Sequence, residues 1–85
     1  MAKTKRSQNE VFATISSMLA ELLNLPVDRF AMDTEIFEEL PLDSLQLYEL
    51  VVDLESRYAI RISDEAIEKI RTIADVVDMI CASEE

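Results

Sequence analysis

Apolar residues recur along this chain at the three- and four-residue spacing of α-helices. In the first third of the sequence they form one stripe, made up of Val11, Phe12, Ile15, Leu19, Leu22 and Leu23. A stripe of this kind covers one face of an amphipathic helix. Ser7 or Asn9 can cap its start, and Pro26 limits its end. We therefore predict a first helix over residues 8–24.

A long connection over residues 25–42 follows the first helix. Connections of this length are uncommon in small domains unless they are functional. This one carries six large apolar residues, namely Phe30, Met32, Ile36, Phe37, Leu40 and Leu42. They predict that the loop lies against the core. One helical turn beginning near Thr34 fits the pattern, and Pro41 keeps the residue before it out of the helical conformation.

The second predicted helix covers residues 44–58. Asp43 is its expected N-cap, because its carboxylate can accept a hydrogen bond from the amide of Leu45 or Gln46. Glu55 falls within the apolar arc near the helix end, while the opposite face is acidic over most of its length. The apolar arc itself consists of Leu45, Leu47, Tyr48, Val51, Val52, Leu54 and Tyr58.

Two shorter helices complete the pattern. Residues 59–63 alternate too briefly for a strand and predict an extended link. A short third helix follows over residues 63–71. Thr72 and Asp75 match the S/T-x-x-D/E capping pattern, which predicts a fourth helix over residues 72–82.

The expected fold class is therefore all-α. We predict a small four-helix bundle with a long loop between helices one and two and a short third helix. The helical domain spans residues 8–82, preceded by a basic, disordered tail over residues 1–7 and followed by a frayed acidic tail over residues 83–85.

Composition narrows the function. The 85 residues suffice for one domain and include no glycine, which excludes Gly-rich phosphate loops and the calcium loop of EF-hands. The net charge is −10, with eight acidic and no basic residues between positions 33 and 55. This surface disfavours nucleic acid and would attract a basic protein surface. The single cysteine, Cys81, and the absence of a membrane-spanning stretch predict a soluble, cytoplasmic protein with no metal site.

Ser44, the first residue of the second predicted helix, is the candidate for a catalytic or a covalently modified residue. A catalytic serine needs a neighbouring base, yet the chain has no histidine, and Lys3, Lys5 and Lys69 lie elsewhere in the sequence. We therefore predict no enzymatic activity. A helix N-terminus favours phosphate, so Ser44 is either the acceptor of a group delivered by another enzyme or a plain part of the cap.

The wider pattern resembles the acyl carrier protein family over most of the chain. The resemblance rests on a D-S-L motif at the head of the second helix, an E-L-V run, an acidic–hydrophobic stretch, an I-S-D-E turn and a T-x-x-D-V-V-x-x-I last helix. These motifs lie at residues 43–45, 49–51, 53–55, 62–65 and 72–80.

The resemblance implies a cofactor and its attachment site. In this family the serine, here Ser44, is joined through a phosphodiester to 4′-phosphopantetheine, which a phosphopantetheinyl transferase delivers from coenzyme A. The imported thiol then carries acyl groups as thioesters, so the chain needs no base of its own. Asp43 would cap the helix and dock the transferase, and Leu45 completes the motif.

The resemblance also implies the protein's partners. The family's recognition surface meets basic patches on acyl-loading, condensing and acyl-transferring enzymes. It corresponds here to Glu49, Asp53 and Glu55, with Leu47 as an apolar contact near the serine. We expect the carried chain to lie between the second and third helices, among Val52, Leu54, Ile62 and Ile67.

Two departures from the family pattern leave the pathway open. Pro41 stands where glycine is usual, and the neutral Gln46 stands where an acid is frequent. Fatty-acid, polyketide or related lipid biosynthesis all remain compatible. An aminoacyl or peptidyl carrier and an unmodified acidic adaptor are the alternatives. The absence of a sustained heptad predicts a monomer.

Overall fold

Five α-helices make up most of the computed structural model, which describes residues 7–82. They are α1 (Gln8–Leu23), α2 (Ile36–Glu39), α3 (Ser44–Tyr58), α4 (Asp64–Glu68) and α5 (Ile73–Ala82). The all-α prediction is confirmed, and the described residues contain no strand. The predicted tails lie outside the described part of the chain, apart from Ser7.

Helix α1 begins and ends at local signals. The Ser7 side chain accepts a hydrogen bond from the Glu10 amide at the start. The end comes at Leu23, one residue earlier than predicted, because Asn24 adopts a left-handed conformation with φ of 60°. The Asn24 amide then donates to the carbonyl of Ala20. Within the predicted stripe, three side chains are fully buried: Val11, Ile15 and Leu19.

The long loop is held against the C-terminal part of the fold by backbone hydrogen bonds. The Ile36 amide donates to the carbonyl of Arg71 at 2.8 Å, and the Ile73 amide donates to the carbonyl of Thr34 at 3.1 Å. The prediction that the loop lies on the core is confirmed for Phe30, Ile36, Leu40 and Leu42, which are all buried. It is wrong for Phe37, which is 45% exposed.

Helix α4 is shorter than predicted, ending at Glu68 rather than near Arg71. The Lys69 amide donates to the carbonyls of Ala66 and Ile67, which tightens and closes the last turn. The Arg71 amide donates to Asp75 Oδ2 at 2.9 Å and not to the carbonyl of Ile67, which is the bond that a helix reaching Arg71 would need. The hydrogen bonds at the start of α5 therefore take the amide that would extend α4.

The hydrophobic core joins all five helices, and α1 packs most extensively on α5. Each helix contributes at least one buried apolar residue. Its buried apolar side chains are Val11, Ile15, Leu19, Phe30, Ile36, Leu40, Leu42, Leu47, Leu50, Val51, Leu54, Ile67, Ile70, Ile73, Val76, Val77 and Ile80.

The predicted capping pattern at the start of α5 is confirmed. The Thr72 hydroxyl accepts from the Asp75 amide at 3.2 Å, and Asp75 Oδ2 accepts from the Thr72 amide at 3.1 Å. Oδ2 also accepts from the Arg71 amide at 2.9 Å. The bonds from the Arg71 and Thr72 amides hold the pKa of Asp75 below its ordinary value of 3.8.

Replacing Asp75 with alanine should lower the free energy of unfolding by about 1–2 kcal/mol at neutral pH, because two amides lose their acceptor. A carboxylate with a lowered folded-state pKa stabilises fully above its unfolded pKa, and this contribution is lost as pH falls through the folded-state pKa. The difference between wild type and Asp75→Ala, measured by urea unfolding, should therefore shrink below about pH 4.

The matched control is Asp78→Ala on the same helix, since Asp78 accepts only an exposed bond from Gln8. Its effect should stay below about 0.5 kcal/mol. A cost for Asp75→Ala that does not change between pH 7 and pH 3 would contradict the role assigned to the carboxylate.

Candidate functional site

Ser44 is the first residue of α3, and its side chain is exposed. Its hydroxyl forms no hydrogen bond with any other described residue. The neighbouring Leu45 is 70% exposed as well. The hydroxyl is therefore accessible to another protein.

A reciprocal capping box fixes the turn that carries Ser44. The Gln46 amide donates to Asp43 Oδ1 at 2.8 Å, and the Asp43 amide donates to Gln46 Oε1 at 3.1 Å. The predicted cap at Asp43 is confirmed, with Gln46 rather than Leu45 as the donor. The first bond of the regular helical pattern runs from the Leu47 amide to the Asp43 carbonyl at 3.0 Å.

The segment entering the site is also constrained. The Leu42 amide donates to the carbonyl of Leu40 at 2.8 Å, which closes a tight turn around Pro41. The fixed φ of proline suits the centre of such a turn. Leu40 and Leu42 are each only 6% exposed, so both sides of the turn are anchored in the core. Pro41 therefore provides a rigid approach to Ser44.

Two backbone amides at the start of α3 remain available. Asp43 and Gln46 use their amides on each other's side chains, whereas those of Ser44 and Leu45 have no acceptor among the described residues. Free amides at a helix N-terminus, together with the helix dipole, favour a negatively charged oxygen. The residues present therefore fit a phosphate group attached to Ser44.

A ridge of exposed apolar side chains runs along α3 from the serine. Leu45 is 70% exposed, Tyr48 40% and Val52 58%. With Glu49 and Asp53 they line one shallow groove, which we call the α3 groove. Both carboxylates are exposed and form no ion pair within residues 7–82. The α3 groove thus combines an apolar floor with uncompensated negative charge.

This ridge corrects the predicted apolar arc of α3. The buried side of the helix consists of Leu47, Leu50, Val51 and Leu54, of which Leu50 is not in the predicted arc. Leu45, Tyr48 and Val52 recur at the i, i+3 and i+7 spacing of a second face. An apolar arc wider than one packed face was the signal that could have identified Tyr48 as a surface residue.

Two predicted site residues differ from the prediction in their burial. Leu47, predicted as a docking contact, is 2% exposed and belongs to the core. Val52, predicted to face the carried chain between the second and third helices, points outward instead. The other three residues predicted there lie on the inner side: Leu54 and Ile67 are buried, and Ile62 packs against the core.

Glu55 also has a different position from the one predicted. Its carboxylate is half-buried, and Oε2 accepts a hydrogen bond from the Ile62 amide at 2.8 Å. The backbone carbonyl of Glu55 accepts from Ile60 and from Ala59, which has a left-handed conformation. Glu55 therefore fastens the link between α3 and α4, which explains an acid within the apolar arc. One oxygen of its carboxylate is therefore engaged inside the fold, and the predicted docking role of Glu55 stays a prediction.

Replacing Glu55 with alanine should lower the free energy of unfolding by about 1–2 kcal/mol, because the Ile62 amide loses a charged acceptor. Urea unfolding measures this change. Asp53→Ala is the matched control, since Asp53 is exposed on the same helix, and its effect should be below about 0.5 kcal/mol. Equal stabilities for the two variants would show that the Glu55 bond contributes nothing.

Two further observations concern residues 7–82. No three His, Cys, Asp or Glu side chains in this part lie close enough together to hold a metal ion. None of its helices combines the length and apolar character needed to cross a bilayer. The predicted cytoplasmic location and monomeric state stay predictions.

Comparison with known proteins agrees with this geometry. Residues 13–80 match the family model described as a phosphopantetheine attachment site. The acyl carrier protein of Campylobacter hominis is 39% identical over 71 residues, covering 84% of this chain and 90% of that protein. The acyl carrier protein of Thermotoga maritima is 32% identical over 74 residues, covering 87% and 91%.

Solved structures show the same similarity in three dimensions. An acyl carrier protein from Enterococcus faecalis superimposes with a TM-score of 0.79 at 28% identity, covering 93% of this chain and all of that one. The Thermotoga maritima structure gives a TM-score of 0.78 at 28% identity, covering 89% of this chain and 88% of that one.

Proposed function

The chain belongs to the acyl carrier protein family, and from that premise we propose that Ser44 is the residue to which its 4′-phosphopantetheine is attached. The observation that carries this proposal is the exposed Ser44 hydroxyl beside two free amides at the start of α3. When bound, the group supplies a thiol on which acyl chains are carried as thioesters. We propose that these are intermediates of fatty-acid, polyketide or related lipid biosynthesis.

The chain's own residues perform positioning rather than catalysis. Asp43 caps α3 and keeps Ser44 at the helix mouth, where the Ser44 and Leu45 amides can donate to phosphate oxygens. No histidine is present to remove the serine proton. The transferase must therefore supply the base that activates the hydroxyl.

The α3 groove is proposed as the surface that meets the transferase and the acyl-processing enzymes. Its rim acids, Glu49 and Asp53, complement basic side chains on a partner, and its apolar floor offers Leu45, Tyr48 and Val52. Exposed charge pairs of this kind act mainly on the association rate. Weak, rapid contacts suit a carrier that visits several enzymes in turn.

Reversing a rim charge should slow modification. Asp53→Lys should lower kcat/KM of a phosphopantetheinyl transferase about three- to tenfold at low salt, and the loss should diminish as salt screens the repulsion. The steady-state rate of phosphopantetheine transfer from coenzyme A measures this effect. Glu21→Lys, an equal charge change at an exposed position of α1, should have a much smaller effect. Equal losses would assign the effect to net charge alone.

Intact mass after incubation with coenzyme A and a broad-specificity phosphopantetheinyl transferase tests the proposed function directly. We expect the wild-type chain to gain the mass of one phosphopantetheine. A folded wild-type chain that gains no mass under conditions that modify a known acyl carrier protein would contradict the proposal.

A further inference from the structure

Gln46 is the side chain that completes the turn carrying Ser44. Its backbone amide and its side-chain carbonyl both bond to Asp43, at 2.8 and 3.1 Å. The two bonds bridge Ser44, which lies between the bonded residues in the chain. We propose that Gln46 is a positioning residue for the modification of Ser44, acting through the backbone of Asp43. This inference rests on the proposed function of Ser44.

The physical reason lies in the weakness of helix ends. The first amides of an α-helix lack partners within the helix, so the first turn frays unless side chains hold it. Here the Asp43 carboxylate holds the Gln46 amide, and the Gln46 carbonyl holds the Asp43 amide in return. Without the second bond, the Asp43 amide has no acceptor in the fold. Ser44 would then leave its position at the helix mouth more often.

The same bond explains why a neutral residue can occupy this position. Gln46 is half-exposed and uses its side-chain oxygen within the chain. A glutamate has an oxygen at the same reach, whereas a methionine has nearly the same length and no comparable acceptor. The variants Gln46→Glu and Gln46→Met therefore distinguish the effect of the hydrogen bond from the effect of side-chain size.

Amide hydrogen exchange on the apo chain gives the first readout. In Gln46→Met, the loss of about 1 kcal/mol of capping free energy multiplies the opening constant of the first turn about fivefold, and the amides at positions 46 and 47 should exchange about two- to threefold faster. The Gln46→Glu variant should exchange at nearly the wild-type rate. Amides in the middle of α3, such as that of Leu54, should be unaffected in both variants.

Transferase kinetics with coenzyme A give the second readout. A partner that binds only the ordered turn sees a smaller competent fraction, and the apparent dissociation constant equals the intrinsic constant divided by that fraction. The fivefold change in the opening constant is shared between faster exchange and a smaller competent fraction, so KM for Gln46→Met should rise about twofold with kcat unchanged. Gln46→Glu should restore KM. Both variants are compared at high ionic strength, where the added charge is screened to a Debye length of about 3 Å at 1 M.

The possible outcomes separate this inference from the proposed function. Faster exchange and a raised KM in Gln46→Met, both restored in Gln46→Glu, are the expected result. A raised KM without faster exchange would make Gln46 a direct contact of the transferase and overturn the positioning role. A wild-type chain and a Gln46→Met variant that are modified equally well would overturn this inference alone. A wild-type chain that is never modified would remove the proposed function, and this inference with it.

Discussion

Replacing Ser44 with alanine is expected to abolish phosphopantetheine attachment completely while leaving the fold intact. The hydroxyl oxygen is the only heavy atom lost, and it forms no hydrogen bond within the described residues. Alanine is also the best helix former, so α3 should begin at the same place. Intact mass measures attachment, and circular dichroism with thermal unfolding measures the fold.

Ser56→Ala is the matched control for this experiment. Ser56 is an exposed serine on the same helix, far from its N-terminus. This variant should gain one phosphopantetheine as the wild type does. A folded Ser44→Ala chain that still gains the mass would place the attachment elsewhere. A Ser44→Ala chain that binds partners as well as the modified protein would favour the unmodified adaptor.

Truncating Leu54 should have the largest effect on stability. Leu54 lies on the buried side of α3 and has no exposed surface. Leu→Ala substitutions at such sites cost about 2–5 kcal/mol, because burial is lost and a cavity remains. Small domains have about 5–15 kcal/mol of total stability. Leu54→Ala should therefore be partly or largely unfolded at 37 °C, as measured by urea unfolding and thermal melting.

Val52→Ala provides the comparison two residues away. Leu54 and Val52 are both predicted from the sequence to lie beside the carried chain, but Val52 is 58% exposed. Its truncation should change the free energy of unfolding by less than about 0.5 kcal/mol. Similar losses for the two variants would contradict the assignment of Val52 to the surface. A loss of partner binding in Val52→Ala alone would support its place in the α3 groove.

The helix boundaries show which features depend on neighbouring residues alone. The sequence predicted residues 44–58 as a helix with Asp43 as its cap, and α3 has those limits. It also predicted the Thr72 and Asp75 capping pair. The D-S-L motif, which singles out Ser44, is likewise a run of neighbouring residues. The helix caps are hydrogen bonds between groups three residues apart, so the local sequence contains what is needed to form them.

Other features depended on residues that are distant in sequence. The Arg71 carbonyl accepts a bond from the Ile36 amide, and this bond holds the loop against the C-terminal part of the fold. The Glu55 carboxylate accepts a hydrogen bond from the Ile62 amide, which the link after α3 brings back to it. Such partners cannot be identified from a periodic pattern, because the pattern does not specify which residues meet when helices pack.

The apolar arc of α3 shows most clearly which features follow from the sequence alone and which follow from helix packing. By itself, the sequence determined that this helix is amphipathic, where it begins and which serine stands at its mouth. Only the packing of the helices decided that Leu47, Leu50 and Leu54 enter the core while Tyr48 and Val52 remain in solvent. The physical reason is that the arc is wider than the face that the neighbouring helices can cover. The part left uncovered became the surface proposed to meet other proteins.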